Sequence, residues 1–198
     1  MAHNWHKPIL NVDPAAYLLW ALSALIVPAR WLFAWAAATV VHELGHYLSL
    51  RIFGVEVFEI KITCCGILMR SRPLTHMQHA ICSFAGPFAG LILLPVSRGY
   101  PIWATCLFVQ SVFNLLPVYP LDGGVVLYEL LAQFLSESVA GRCVHAFSNV
   151  VRYSVVILMI LIGVQLKSIL LFAVVITIFL FRTGSVKFPC KPSKVIVQ

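Results

Sequence analysis

Apolar residues run along this chain in blocks long enough for helices, separated by short joints that carry charge, proline or glycine. Six blocks are predicted to cross a bilayer: Ala15 to Ala29, Trp31 to Phe53, His76 to Val96, Tyr100 to Leu116, about Val144 to Val164, and Leu166 to Phe181. The first is the weakest, because about 15 residues rising ~1.5 Å each fall short of a hydrocarbon core of about 30 Å. The last two are joined tightly and read as a helical hairpin. Between the second and third blocks the pattern changes to alternation. Val55-Glu56-Val57-Phe58-Glu59-Ile60-Lys61-Ile62-Thr63 reads as a strand, Cys64-Cys65-Gly66 as a turn, and Ile67-Leu68-Met69-Arg70 as a return strand. The predicted fold class is an all-α polytopic membrane protein with about six transmembrane helices and a small β-strand or hairpin insertion between the second and third. It forms one membrane-embedded domain over residues 1–198, with a core at about 31–127, a C-terminal helical hairpin at about 144–182 and a basic tail at 183–198.

Composition supports lipid as the solvent. The 198 residues are 61% hydrophobic and only 11% charged, with a mean hydropathy of +0.93, whereas a water-soluble domain carries about 25% charged residues. The formal net charge of +7 does not indicate nucleic acid, because the basic residues sit in the joints and the tail. They act there as topology determinants. With both termini cytoplasmic, only Arg30, Arg98 and Lys167 fall outside and the other Lys and Arg residues fall inside, as the positive-inside rule requires. The six cysteines show no CxxC spacing, so neither a disulfide nor a cysteine metal site is expected. Ala34-Trp35-Ala36 has the form of a signal-cleavage site, but cutting there would divide the second block, so the segment is expected to be retained.

That second block contains His42-Glu43-Leu44-Gly45-His46. Histidines four positions apart on a helix lie about 40° apart around its axis, so both imidazoles can grip one metal ion with Glu43 beside it as a proton acceptor. A hydrolytic zinc site takes three protein ligands and keeps a position for water. Among the remaining acidic residues, Asp122 is placed just past the fourth block, in Asn114-Leu115-Leu116-Pro117-Val118-Tyr119-Pro120-Leu121-Asp122-Gly123-Gly124. The second and fourth blocks both run inward in this topology, so His42, His46 and Asp122 can meet in the cytoplasmic part of the membrane. Pro117 and Pro120 are read as irregular backbone lining a cavity, with Gly123-Gly124 supplying turns closed to other residues. Gly86 and Gly90 have the spacing of close helix approach, a role open to Gly45 as well. Asn114 is either a helix-contact amide or a donor to a substrate carbonyl. His76, His79 and His145 read as interfacial or structural, since no acidic partner accompanies them, and Glu129 and Glu137 as solvated.

The combination of HELGH in an early helix, Ala85-Gly86-Pro87 in the next and NLLPVYPLDGG after a third resembles the site-2 protease family of intramembrane zinc metalloproteases. The similarity runs from about Val41 to Leu127. Arg72-Pro73-Leu74 ahead of the third block and the short six-span form are most similar to the stage IV sporulation-factor branch. The resemblance implies one Zn2+ ion held by His42, His46 and Asp122, a catalytic Glu43, and Asn114 as the family's motif asparagine. It implies hydrolysis of a peptide bond in a membrane-inserted protein near the cytoplasmic face, in a multi-pass protein of a bacterial cytoplasmic membrane. The expected partners are the bilayer, a substrate with an unwound segment held extended along Val55 to Thr63 by strand addition, and a regulatory membrane protein, with no nucleic acid. The chain differs from longer relatives in showing neither a PDZ module nor a CBS pair, and in having Cys64-Cys65-Gly66 where some carry a glycine pair. The alternatives are a non-enzymatic membrane scaffold and a metal transporter, whose intramembrane His, Glu and Asp would mark an ion path.

Overall fold

The computed structural model describes residues 8–63, 66–165, 176, 177, 179, 180, 183 and 195–197. The elements run β1 (Ile9–Val12), α1 (Pro14–Ile26), α2 (Ala29–Ile52), β2 (Val57–Thr63), β3 (Gly66–Ser71), α3 (His76–Leu93), a short 3-10 turn (Val96–Gly99), α4 (Pro101–Asn114), α5 (Asp122–Ala132), α6 (Glu137–Gln165) and β4 (Val195–Val197). The protein is mostly helical. Most of the sixth predicted span, the Cys64-Cys65 turn and most of the basic tail lie outside the described residues.

Helix α3 is the hub, packing against α2, α4 and α5, while α2 also meets α4. Small residues make that closeness possible. The buried face of α2 is Ala38, His42, Gly45, His46, Ser49 and Leu50, and that of α3 is Ala80, Cys82, Ser83, Gly86, Pro87 and Gly90. A Cβ at Gly45 would run into the backbone carbonyl of Ala85 and sit 2.9 Å from the Ala89 Cβ. Without an aqueous driving force between helices, such backbone approach is a main source of packing energy in lipid. Large apolar side chains point outward instead, with Leu25 84% and Phe33 76% exposed, so the outer surface suits hydrocarbon.

Helix α2 ends in a Schellman turn: Gly54 takes φ 69, the amide of Val55 donates to the Leu50 carbonyl at 2.9 Å and that of Gly54 to Arg51 at 3.0 Å. The chain then enters the sheet. Strand β2 pairs antiparallel with β3, from Val57 opposite Ser71 to Thr63 opposite Gly66, as the alternation predicts. The all-α expectation is corrected by two strands that were not foreseen. Strand β1 pairs parallel with β2 and β4 pairs with β3, giving the order β1-β2-β3-β4. Both lie in short segments near the chain ends, where three or four residues carry no readable alternation. Because β1 and β3 occupy both edges of β2, a substrate cannot add to β2 itself, contrary to the sequence expectation.

The span assignments also shift. Among the described residues one helix, α6, is long and apolar enough to cross a membrane by length and composition alone, with 29 residues and a mean hydropathy of 2.0. Helices α1, α4 and α5 have 13, 14 and 11 residues, short of the ~20 residues needed to span. Helix α2 has 24, but its histidines, Glu43 and Arg51 lower its apolarity. Helix α6 starts at Glu137, earlier than the expected Val144, and Arg152 within it donates through Nη2 to the Thr183 carbonyl at 2.6 Å. Its apolar window is only 11% buried, which leaves most of the helix facing outward.

Overpacking at the α2–α3 contact should cost about 1–3 kcal/mol. Gly45→Leu is expected to lower the thermal unfolding midpoint in detergent, whereas Leu48→Ala, at a 51% exposed position of the same helix, should leave it nearly unchanged. Equal midpoints for the two variants would contradict the close approach.

Candidate metal centre

The site is assembled from three helices. Helix α2 supplies His42 and His46 one turn apart, with ring centroids 4.7 Å apart and planes at 86°. Helix α5 supplies Asp122 from its first residue. Helix α3 supplies no ligand but sets the orientation: His46 Nδ1 donates to the backbone carbonyl of Cys82 at 2.7 Å. A carbonyl can only accept, so Nδ1 carries the ring proton and the Nε2 lone pair faces the centre. Gly86 makes room for that ring, since a Cβ there would overlap the His46 imidazole.

At the centre, His42 Nε2 and His46 Nε2 lie 3.2 Å apart. Asp122 Oδ2 lies 3.2 Å from the first and 3.6 Å from the second. All three residues are buried, His46 completely. Asp122 Oδ2 has no surface and no geometrically acceptable hydrogen bond. Two imidazole nitrogens and a carboxylate oxygen, all within 4.8 Å of one another, form a donor set that fits a divalent cation. Such a cation would satisfy the buried oxygen that hydrogen bonding leaves over.

The Asp122 loop differs from its sequence reading. Gly123 and Gly124 are not turn residues but belong to the first turn of α5. Their lack of a side chain serves packing, since a Cβ on either would strike backbone of the preceding loop, at Leu115 and Leu116 for Gly123 and at Val118 and Tyr119 for Gly124. The two prolines occupy the loop as expected, and the Tyr119–Pro120 peptide is cis. Val118 and Leu121 are buried there against Phe179. Ser148 of α6 accepts from the Tyr119 amide at 3.0 Å and donates to the Pro117 carbonyl at 3.4 Å. At the N-terminus of α5, the Asp122 carboxylate also gains from the positive end of the helix dipole. Neither Ser148 nor the Cys82 carbonyl stood out in the sequence, since a serine in an apolar helix and a main-chain oxygen carry no motif.

Glu43 is half-buried on α2 and lines a cavity of about 390 Å³. The cavity lies between α2 and the sheet, with Leu10 of β1, Ile60 and Ile62 of β2 and Met69 of β3 among its walls. Glu43 is the one carboxylate lining it, with Tyr47 the other residue that carries a polar group. Asn114 is buried at the end of α4, where its Nδ2 donates to the Gln110 carbonyl at 3.0 Å. Asn114 is therefore not among the clustered ligands. His145 is on the surface of α6, with Nδ1 3.2 Å from Asn149 Nδ2. Glu137 is exposed as expected, but Glu129 is not solvated: it is 7% exposed, with His76 Nδ1 at 2.5 Å and His79 Nδ1 at 2.6 Å. The acidic partner that the two histidines lacked in sequence comes from 50 or more positions downstream.

No protein-family profile matches the chain. It is similar to a zinc metalloprotease of Methanocaldococcus jannaschii, 29% identical over 110 residues that cover 48% of this chain and 32% of that protein. It is also similar to a Synechocystis protein provisionally named a zinc metalloprotease, 30% identical over 132 residues that cover 59% of this chain and 34% of that protein. The chain thus matches about a third of the length of these relatives. Its fold is that of the solved site-2 protease from Methanocaldococcus jannaschii, with a TM-score of 0.58 and 20% identity, covering 92% of this chain and 94% of that one.

Removing one of three ligands should abolish stoichiometric binding, so Asp122→Ala is expected to bind less than one equivalent of zinc in equilibrium dialysis. Gly86→Ala displaces the His46 ring without removing a ligand, and should weaken zinc affinity by about 10–100-fold, the range for perturbing a group that orients a metal ligand. Parental affinity in the Gly86 variant would show that the ring is not held as described.

Proposed function

We propose that this chain is a site-2 type zinc metalloprotease that hydrolyses a peptide bond of a membrane-inserted protein near the cytoplasmic face. The observation that carries this reading is the buried His42, His46 and Asp122 cluster one residue from Glu43, which opens on the apolar cavity. Both sequence relatives bear names that include zinc metalloprotease, and the shared fold supports the same chemistry.

Zinc held by the two Nε2 atoms and the Asp122 carboxylate would supply Lewis-acid polarisation of water and of the scissile carbonyl. Glu43 takes the proton from the attacking water and passes it to the leaving amine nitrogen. The apolar lining of this open groove favours an extended apolar peptide. A helix conceals its peptide bonds in its own ladder, so the substrate segment must be unwound before it reaches Glu43. With β2 paired on both sides, the sheet edges open to an incoming strand are β1 and β4, and β1 is the one that shares a wall with Glu43. Asn114, the last residue of α4 before the Asp122 loop, is assigned to the substrate side of the site by the family motif alone.

In this reading both termini are cytoplasmic, and the membrane is a bacterial cytoplasmic membrane. The narrower similarity to the stage IV sporulation branch rests on Arg72-Pro73-Leu74 and the short form. A transporter would spread its ligands through the depth of the membrane, whereas these three gather at a single point.

Glu43→Gln should retain one equivalent of zinc and lose cleavage of a co-expressed membrane substrate by about a hundredfold to ten-thousandfold. The readout is a quantitative comparison of membrane-protein fragments in cells carrying the parent chain or the variant. Undiminished fragments in the presence of Glu43→Gln would remove this glutamate from the chemistry.

A further inference from the structure

Outside the candidate metal centre, one cluster of ionisable side chains is shared between helices and centred on a buried carboxylate, with two partly exposed histidines around it. Thr75 caps α3 through a reciprocal capping box, with the Gln78 amide donating to Thr75 Oγ1 at 3.3 Å and the Thr75 amide donating to Gln78 Oε1 at 3.0 Å. This fixes the first turn of α3, which carries His76 and His79. Each offers Nδ1 to a different oxygen of the Glu129 carboxylate, His76 to Oε2 and His79 to Oε1. A carboxylate accepts, so both rings carry the Nδ1 proton, whatever the state of Nε2. Burial raises the Glu129 carboxyl, but the hydrogen bonds and charge of His79 and then His76 outweigh it and hold the group below the usual range.

The cluster is not a second metal site. The two imidazoles grip opposite oxygens of one carboxylate, and among the described residues the ligand atoms that converge are those of His42, His46 and Asp122. Its position is informative instead. Glu129 is seven residues after Asp122, two turns along α5, and so on the same face of the helix. His79 is three residues before Cys82, one turn along α3, and Cys82 provides the carbonyl that orients His46. Helix α5 is therefore attached to its neighbours at two points on one face: at Asp122, where it meets the imidazoles of α2, and at Glu129, where it meets α3. The distance between Asp122 Oδ2 and the His46 ring depends on how α5 sits relative to α3.

We propose that Glu129, held by His76 and His79, is a positioning residue of the metal centre: it fixes α5 against α3 and thereby sets the reach of Asp122 toward the two imidazoles. The inference rests on the metal-centre part of the reading above and not on proteolysis. It predicts that loosening the clamp weakens metal binding without touching a ligand.

The test is zinc affinity of the full chain in detergent, measured by competition with a chromophoric chelator, together with the absorption bands of the Co2+-substituted protein. In Glu129→Gln one imidazole N–H meets an amide N–H, and zinc affinity should fall about 10–100-fold, as for other groups that orient a ligand indirectly. The cobalt bands should shift, reporting a changed ligand geometry. His79→Ala should act in the same direction. His79→Asn, whose Nδ2–H can replace the Nδ1–H, should restore affinity to near the parent value, and it serves also if Glu129→Gln does not fold. A purely structural role would lower the unfolding temperature of these variants and leave affinity and cobalt spectrum at parental values. That result, with one equivalent still bound by the parent, overturns the inference and leaves the proposed function intact; a parent that binds no zinc overturns both.

Discussion

The hydrogen bond from His46 Nδ1 to the Cys82 carbonyl is the constraint on which the rest of the site depends. It determines which nitrogen of the ring bears a proton, and so which lone pair faces the centre. A main-chain oxygen in the middle of a helix offers little freedom of position, so the ring inherits the rigidity of α3. The close approach needed for a 2.7 Å contact is bought with glycines: Gly45 lets α2 lie on α3, and Gly86 leaves space for the ring itself. Small residues that look like generic helix-packing motifs here hold a ligand in register.

The third ligand obeys a different logic. Asp122 comes from a helix of 11 residues that is too short to be held by its own length. Its placement depends on what surrounds it: the proline loop before it, Ser148 of α6 bridging that loop, the packed Val118 and Leu121, and the imidazole pair that receives Glu129. Two ligands are adjacent on one helix and need little support. The one that arrives from elsewhere needs support on several sides.

The clustering of His42, His46 and Asp122 was largely legible in the sequence because its signals are local or chemical. HELGH declares its own geometry at helical spacing, and Asp122 stands out as an acid placed just after an apolar helix in a proline-rich stretch. The β2–β3 hairpin was legible from alternation. Other features are set by contacts between distant segments. Glu129 read as solvated because nothing near it in sequence is a partner, while His76 and His79 lie 53 and 50 positions away. Gly123 and Gly124 read as a turn because the same lack of a side chain permits either unusual dihedrals or close packing, and only the neighbouring Leu115 and Tyr119 backbone decides between them. Strand β1 was missed because four residues derive their conformation from the ladder to β2 and not from any pattern of their own. Span lengths were less legible: among the described residues α4 ends after 14 residues, where the chain turns into the proline loop, and α6 is the helix long and apolar enough to cross a membrane by length and composition.

Helix α1 shows how a chain can be secured without being packed. Its side chains are mostly outward, with Ala16 its fully buried residue, yet both of its ends are tied. The Asp13 amide donates to the Ile62 carbonyl at 2.8 Å after the four-residue β1 ladder, and at the other end Pro28 leads directly into α2. The outward apolar side chains of α1 therefore sit between two fixed points, one set by the ladder to β2, where each bond is worth on the order of 1 kcal/mol net, and one set by the start of the helix that carries His42 and His46.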